Sequence, residues 1–292
     1  MGLALLASAA LAGCNFRRER HGPAPTGAHY LIGEPFQAGG EWHYPRAFNE
    51  YDGTGLATVI PPGHEAATAD GEAFHQGGLM AQSPVLPLPS LVRIANLVNG
   101  RALTVRVNDR GPAVPGRIVA VTRKVASLLG FPPDGVVEVR VELLAARSAA
   151  LQAELGEGPH LTAAPVASVQ SAALPPPPGA SGDAGASPTA APSQPAAIRM
   201  PAESTALSGI IHQSAPAPGP LYVEMGGFGT ARDAWSLRDR LPDMTGSVVP
   251  EAASSRTLYA VRLGPYHSVA AADAALRSVL ARGIVDPEIV VR

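Results

Sequence analysis

Between Glu157 and Arg199 the chain carries one charged side chain, Asp183, and Pro175 to Pro178 form an unbroken run of four prolines. No aromatic ring occurs from Phe131 to Tyr222. Such a tract cannot bury enough apolar surface to offset the roughly 1–2 kcal/mol of backbone entropy that each ordered residue costs. It divides the 292-residue chain and excludes one globular domain filling it. Residues 145–219 therefore read as a disordered Ala/Pro/Ser-rich linker, in which 145–155 form a helical extension of what precedes. Charged residues make up 16% of the chain, against roughly 25% in ordinary soluble domains, which fits a large uncharged stretch. The formal net charge of −2 excludes a nucleic-acid partner held by phosphate neutralisation, which needs a basic face.

The chain has one cysteine, so it forms no internal disulfide and no multi-thiolate metal site. Met1 to Ala12 is an apolar run, shorter than the roughly 20 residues a membrane-spanning helix needs. It has the length of a signal-peptide core closed by small residues. Its end, Leu11-Ala12-Gly13-Cys14, resembles a bacterial lipoprotein box. That resemblance implies a signal peptide over 1–13, a lipid anchor on Cys14 and, with Asn15 following, an outer-membrane location. Residues 14–51 then read as a lipidated spacer and arm, with Tyr30, Phe36, Trp42, Tyr44, Phe48 and Tyr51 packing on the domain that follows.

From Asp52 to Leu144 short β-like runs alternate with Gly/Pro turns. Leu91–Leu97, Leu103–Val107 and Val136–Glu142 alternate at period two, as half-buried strands do. Asn99-Gly100 between the first two is a type I′ hairpin signal. Thr122–Leu129, stopped by Gly130, is one short helix. Mostly strands with one helix predicts a small β-barrel. Order returns at Leu221, with strands over Tyr222–Phe228, Leu258–Leu263 and Pro287–Val291 and helices capped by Thr230 and Ser268. Gly264-Pro265-Tyr266 reads as a turn, and residues 220–292 as a small α+β domain.

Residues 52–144 contain Thr68-Ala69-Asp70-Gly71-Glu72, Leu86-Pro87-Leu88-Pro89, Asn99-Gly100-Arg101 and, most specific of these, Val105-Arg106-Val107-Asn108-Asp109-Arg110-Gly111-Pro112. Through these runs they resemble the double-psi β-barrel of the rare lipoprotein A (RlpA) family of septal peptidoglycan lytic transglycosylases. Residues 221–292 resemble a SPOR domain, a peptidoglycan-binding module, through Tyr222-Val223, Gly227-Phe228 and Val261–Tyr266. Together these imply a multidomain chain: a six-stranded double-psi barrel, mainly β, joined by the linker to a βαββαβ-like SPOR domain. They imply an enzyme that cleaves glycan strands, preferably strands without stem peptides, to 1,6-anhydro ends during daughter-cell separation. The implied partners are glycan strands, the outer membrane through the lipid, and septal division proteins. The implied place is the periplasm-facing cell envelope at the septum, with the linker giving the two domains reach.

Cleaving a glycan without water needs a carboxyl group that first gives and then takes a proton. Asp109 sits in a tight turn after a strand, where spacing alone favours a self-capping aspartate over a catalytic one. The resemblance puts it at the family's catalytic position, and Glu72 at the second acidic one. Asn108, Arg110, Ser83 and His64 are the implied substrate-binding residues, and ungapped counting sets Ser83 where family members carry a histidine. The family's aromatic Ser-Trp-Tyr-Gly run is here Thr58-Val59-Ile60-Pro61, and Ala120 stands where the family has an aspartate. These departures hold open a second reading, a weakened barrel that acts as a septal binding and targeting factor. No phosphate loop or paired-histidine metal motif is present, so no cofactor and no metal are expected.

Overall fold

The computed structural model describes residues 26–64, 66–132, 135–155, 207–253 and 256–292. The signal peptide, Cys14 and the body of the linker lie outside the described residues.

The arm carries a two-stranded hairpin, β1 (Phe36–Ala38) and β2 (Glu41–His43), turned by Gly39 and Gly40 at positive φ. It is strapped to the barrel by reciprocal backbone bonds between Leu31 and Leu88, and by Arg46 N to the Val85 carbonyl. The barrel follows: β3 (Asp52–Val59), β4 (Met80–Gln82), β5 (Ser90–Asn96), β6 (Arg101–Asp109), β7 (Arg117–Val121), α1 (Arg123–Leu129) and β8 (Val137–Leu143). Its strand order is β4-β7-β3-β8-β5-β6, and β6 pairs back with β4 to close a six-stranded ring. The β3–β7 and β4–β6 pairs are parallel and the others antiparallel.

Period two in the sequence becomes one face in, one face out. Along β8, Val137, Val139, Val141 and Leu143 are buried, while Glu138, Arg140 and Glu142 are not. Inward residues of all six strands fill the barrel, Ala57 from β3, Ala81 from β4 and Val, Ile and Leu from β5 to β8. Thr122 Oγ1 caps α1 at Val125 N, and Gly130 ends it in the left-handed region, φ 69° and ψ 47°. The β5–β6 connection is longer than a type I′ turn. It takes Leu97 to Gly100, only Gly100 has positive φ, and Asn99 Oδ1 instead accepts from Arg101 N.

After β8, α2 (Ala145–Glu154) packs on β5: Ser148 Oγ accepts from Leu91 N at 2.9 Å. The described end of the linker region is extended, and β9 (His212–Gln213) adds to the β6 edge. The C-terminal domain is β10 (Leu221–Phe228), α3 (Ala231–Asp239), β11 (Gly246–Ala253), β12 (Arg256–Tyr266), α4 (Val269–Leu280) and β13 (Glu288–Val291). This is the βαββαβ order, with an antiparallel sheet β11-β12-β10-β13. Gly264-Pro265-Tyr266 is no turn. It extends β12, with Tyr266 paired to Leu221.

The two domains are packed together. Leu56 of β3, fully buried, belongs to the same apolar cluster as Leu276 and Ile289 of the C-terminal domain. Removing such a side chain from water is worth roughly 1.5–3 kcal/mol.

Candidate active site

The strand β6 delivers Asp109 to one end of the barrel, where it is 7% exposed. Three groups hold its carboxyl. Oδ1 accepts from Ala69 N at 2.9 Å, Oδ2 accepts from Gln82 Nε2 at 2.7 Å, and His64 Nε2 lies 2.7 Å from Oδ2. The imidazole is the outer member of this pair, with a side-chain exposure of 20% against 9%. Its ring meets Phe74 edge-on, with centroids 4.6 Å apart.

Glu72 comes from a turn laced to the same strand. Thr68 N and Glu72 O close the turn at 2.8 Å, and Asp70 N reaches the Asn108 carbonyl at 3.2 Å. Glu72 Oε1 pairs with Arg106 Nη2 at 2.6 Å, and Oε2 accepts from Asn108 Nδ2 at 2.7 Å. Underneath, Asp70 is fully buried and accepts through Oδ1 from the Thr68 hydroxyl and Glu72 N. Burial pushes its carboxyl up to about 6, with the Thr68 hydroxyl pulling the other way and the nearby Glu72 adding to the rise. One hydrogen-bonded assembly thus carries both carboxyl groups that the sequence points to.

Three residues expected to bind substrate have side chains engaged within the protein. Ser83 is 4% exposed, and its hydroxyl accepts from Val85 N and Leu86 N, so it caps a turn behind the groove. Asn108 is fully buried and orients Glu72. Arg110 donates to the carbonyls of Leu86, Ser83 and Ile32, which ties the arm to the barrel. Burial pulls its guanidinium down to about 10, against the opposing effect of Asp109. Only His64 of the four touches the Asp109 carboxyl. Conversely, Gln82 and Arg106 hold the two acids, and the sequence alone did not single out either.

Two of the departures from the family pattern, Ile60 and Ala120, share one cluster. Both pack there with Phe74, and Phe74 backs the His64 ring. Among the described residues no group of three or more His, Cys, Asp or Glu side chains is arranged to hold a metal ion.

Comparison with known proteins matches these two domains separately. Residues 53–141 fit the family model described as lytic transglycolase, and residues 217–290 fit the SPOR domain model. The endolytic peptidoglycan transglycosylase RlpA of Pseudomonas aeruginosa (strain UCBPP-PA14) is 33% identical over 218 residues, 70% of this chain and 60% of that protein. The protein of the same name from Escherichia coli (strain K12) is 38% identical over 147 residues, 49% of this chain and 38% of its own length. That of Rickettsia bellii is 35% identical over 124 residues, 41% of this chain and 55% of its own. The chain thus spans between 38% and 60% of the length of these relatives.

Proposed function

The chain belongs to the RlpA family, with a lytic transglycolase barrel and a SPOR domain, and on that footing we propose that it is an endolytic peptidoglycan transglycosylase. The observation that carries this reading is the Asp109 carboxyl, held rigidly by Ala69 N, Gln82 and His64 at the barrel end. Asp109, in its acid form, gives its proton to the glycosidic oxygen as the C1–O bond breaks. The sugar's own 6-hydroxyl then bonds to C1 and returns its proton to Asp109. No water is consumed, and the product is a 1,6-anhydro end. Acid and base are one group because the two steps follow one another.

His64, between Asp109 and solvent, exchanges the proton with the groove and orients the carboxyl. Glu72, braced by Arg106 and Asn108, supplies a fixed second carboxyl group to the positive charge that develops at C1. Val59-Ile60 and Ala120 leave these contacts untouched. Ile60 and Ala120 fill the floor beneath His64, which supports an active barrel over a weakened one. Cys14 supplies the lipid anchor in the outer membrane, and the SPOR domain binds the wall, which places the enzyme at the septum beside the division machinery.

The test is turnover of glycan strands lacking stem peptides by the full chain, with 1,6-anhydro ends read by mass spectrometry. Asp109→Asn, which keeps the shape but not the acid, is expected to lower the rate by about 10²–10⁴-fold. Strands bound without any anhydro ends would sink the enzymatic reading and leave a binding factor.

A further inference from the structure

The loop between Asp109 and β7 is held at both ends, with Ala113 and Val114 exposed between. Arg110 is held by three backbone carbonyls, and Gly111, at φ 137°, lies where a Cβ would come within 2.8 Å of Gln82 Oε1. Ala113 and Pro115 press on the arm hairpin: a Cβ at Gly39 would lie 2.5 Å from the Ala113 carbonyl. The loop then ends against the SPOR domain. At Gly116, φ 71°, a Cβ would meet Leu276 at 2.6 Å and Ile289 at 2.8 Å. The next residue, Arg117, makes a two-pronged pair with Asp273 of α4, Nη1 to Oδ1 at 2.7 Å and Nη2 to Oδ2 at 2.8 Å. Its side chain is 5% exposed and that of Asp273 22%, so the guanidinium is covered at the interface and costly to leave unpartnered.

Further contacts run along the same seam. Thr54 Oγ1 donates to the Val291 carbonyl at 2.7 Å, and Gly219 N donates to Glu138 Oε2 at 3.2 Å. The approach to β10 is pinned as well, by Ser214 N to the Gly100 carbonyl and Ala217 N to the Leu97 carbonyl. A Cβ at Gly55 would lie 2.8 Å from the Ile289 carbonyl. Two glycines with no room for a methyl, a buried two-pronged ion pair and a shared apolar cluster are the marks of a built joint rather than of a chance touch between tethered bodies.

We propose that the SPOR domain docks on the barrel as a fixed part of the catalytic unit, and that Asp273, acting through Arg117, is a positioning residue for the Arg110–Gly116 loop beside Asp109. The C-terminal domain therefore sets the rate of the barrel as well as binding the wall. The inference rests on the transglycosylase reading for its second half and on the interface alone for its first.

Full-chain variants separate the two halves. Asp273→Asn keeps the shape of α4 and removes the charge; Arg117→Asp with Asp273→Arg reverses the pair. Hydrogen exchange of peptides over 52–60 and 286–292 reports docking, and anhydro-end formation reports turnover. In Asp273→Asn both peptides are expected to exchange faster, and kcat to fall about tenfold to a hundredfold with KM for glycan strands unchanged. The reversed pair is expected to restore both. Undocking with wild-type turnover overturns the positioning role, and unchanged exchange in Asp273→Asn overturns the joint. A wild-type chain without turnover sinks the transglycosylase reading and the positioning role with it, while the exchange pattern still decides the docking.

Discussion

Ser83 and Gln82 are neighbours with opposite fates, and a register shift lies just before them. Along the parallel β4–β6 pair, Ala81 faces Val107 but Gln82 faces Asp109, so one residue of β6 is skipped. Counting along the sequence cannot see such a bulge, which re-aims a side chain without leaving a compositional mark. Asp109 and Glu72 were legible only through the family resemblance, since by spacing alone Asp109 reads as a turn cap and Glu72 as a lone surface carboxylate. Gln82 was not, since an amide becomes informative only once its partner is known. Gln82→Met removes a donor from a carboxylate, a bond worth about 1.5–3 kcal/mol, so turnover is expected to fall at least about tenfold. Ser83→Ala removes a turn cap, with a stability loss of about 1 kcal/mol and turnover unchanged. Anhydro-end assays and thermal melts of the two variants, side by side, check this division of roles.

Among the elements, those with alternating apolar residues and clean caps were readable. The strand β8 and the helix α1 follow their sequence signals closely, down to Thr122 and Gly130. The strand β11 was hidden because Gly246 and Pro250 break its pattern. It lies at the edge of its sheet, where a proline can stand without removing an inner ladder bond. The Gly264-Pro265 turn signal failed for the opposite reason: β11 pairs only as far as Leu263, and pairing with β10 alone carries β12 on to Tyr266. Gly130 tests how much one cap contributes. A Cβ there would combine a left-handed backbone with a 2.9 Å approach to Asn99 Nδ2, which itself bonds the Leu129 carbonyl. Gly130→Ala is expected to cost about 1–2 kcal/mol in thermal melts and to leave turnover intact, because α1 touches neither acid.

At the scale of the whole molecule, the linker suggested two bodies with reach, and the structure joins them. Nothing in the linker's composition could reveal this, since the joint is made of Leu56, Gly116 and Arg117 on one side and Asp273, Leu276 and Ile289 on the other. Beside the joint lies a cleft of about 670 Å³ between arm, barrel and SPOR domain. Carboxyl groups face one another across it. Burial, and Asp286 opposite, push Glu41 of the arm up to about 7. Glu288 opens partly to the cleft, yet the protein around it, with Asp286, Glu224 and Glu251, also raises it to about 7, while Arg46 pulls the other way.

A carboxyl raised in the folded state binds its proton more tightly there than in the unfolded chain. The stability it contributes is full below its ordinary value of 4.5 and is lost as pH rises through about 7. His43 works in the other direction, because burial lowers it, but that effect is spent above its ordinary value of 6.5. Between pH 6.5 and 8 Glu41 and Glu288 lose their protons, with Glu251 of the same cleft also raised by burial, and like charges build up between arm and SPOR domain. The melting temperature is expected to fall over that window, with the peptides at 36–46 and 286–292 exchanging faster at pH 8. Glu288→Gln and Glu41→Gln together should flatten the fall and melt above the wild type at pH 8. An unchanged slope in the double variant would mean that the cleft carries no such repulsion, and that the joint at Arg117 holds the domains together at any pH the envelope meets.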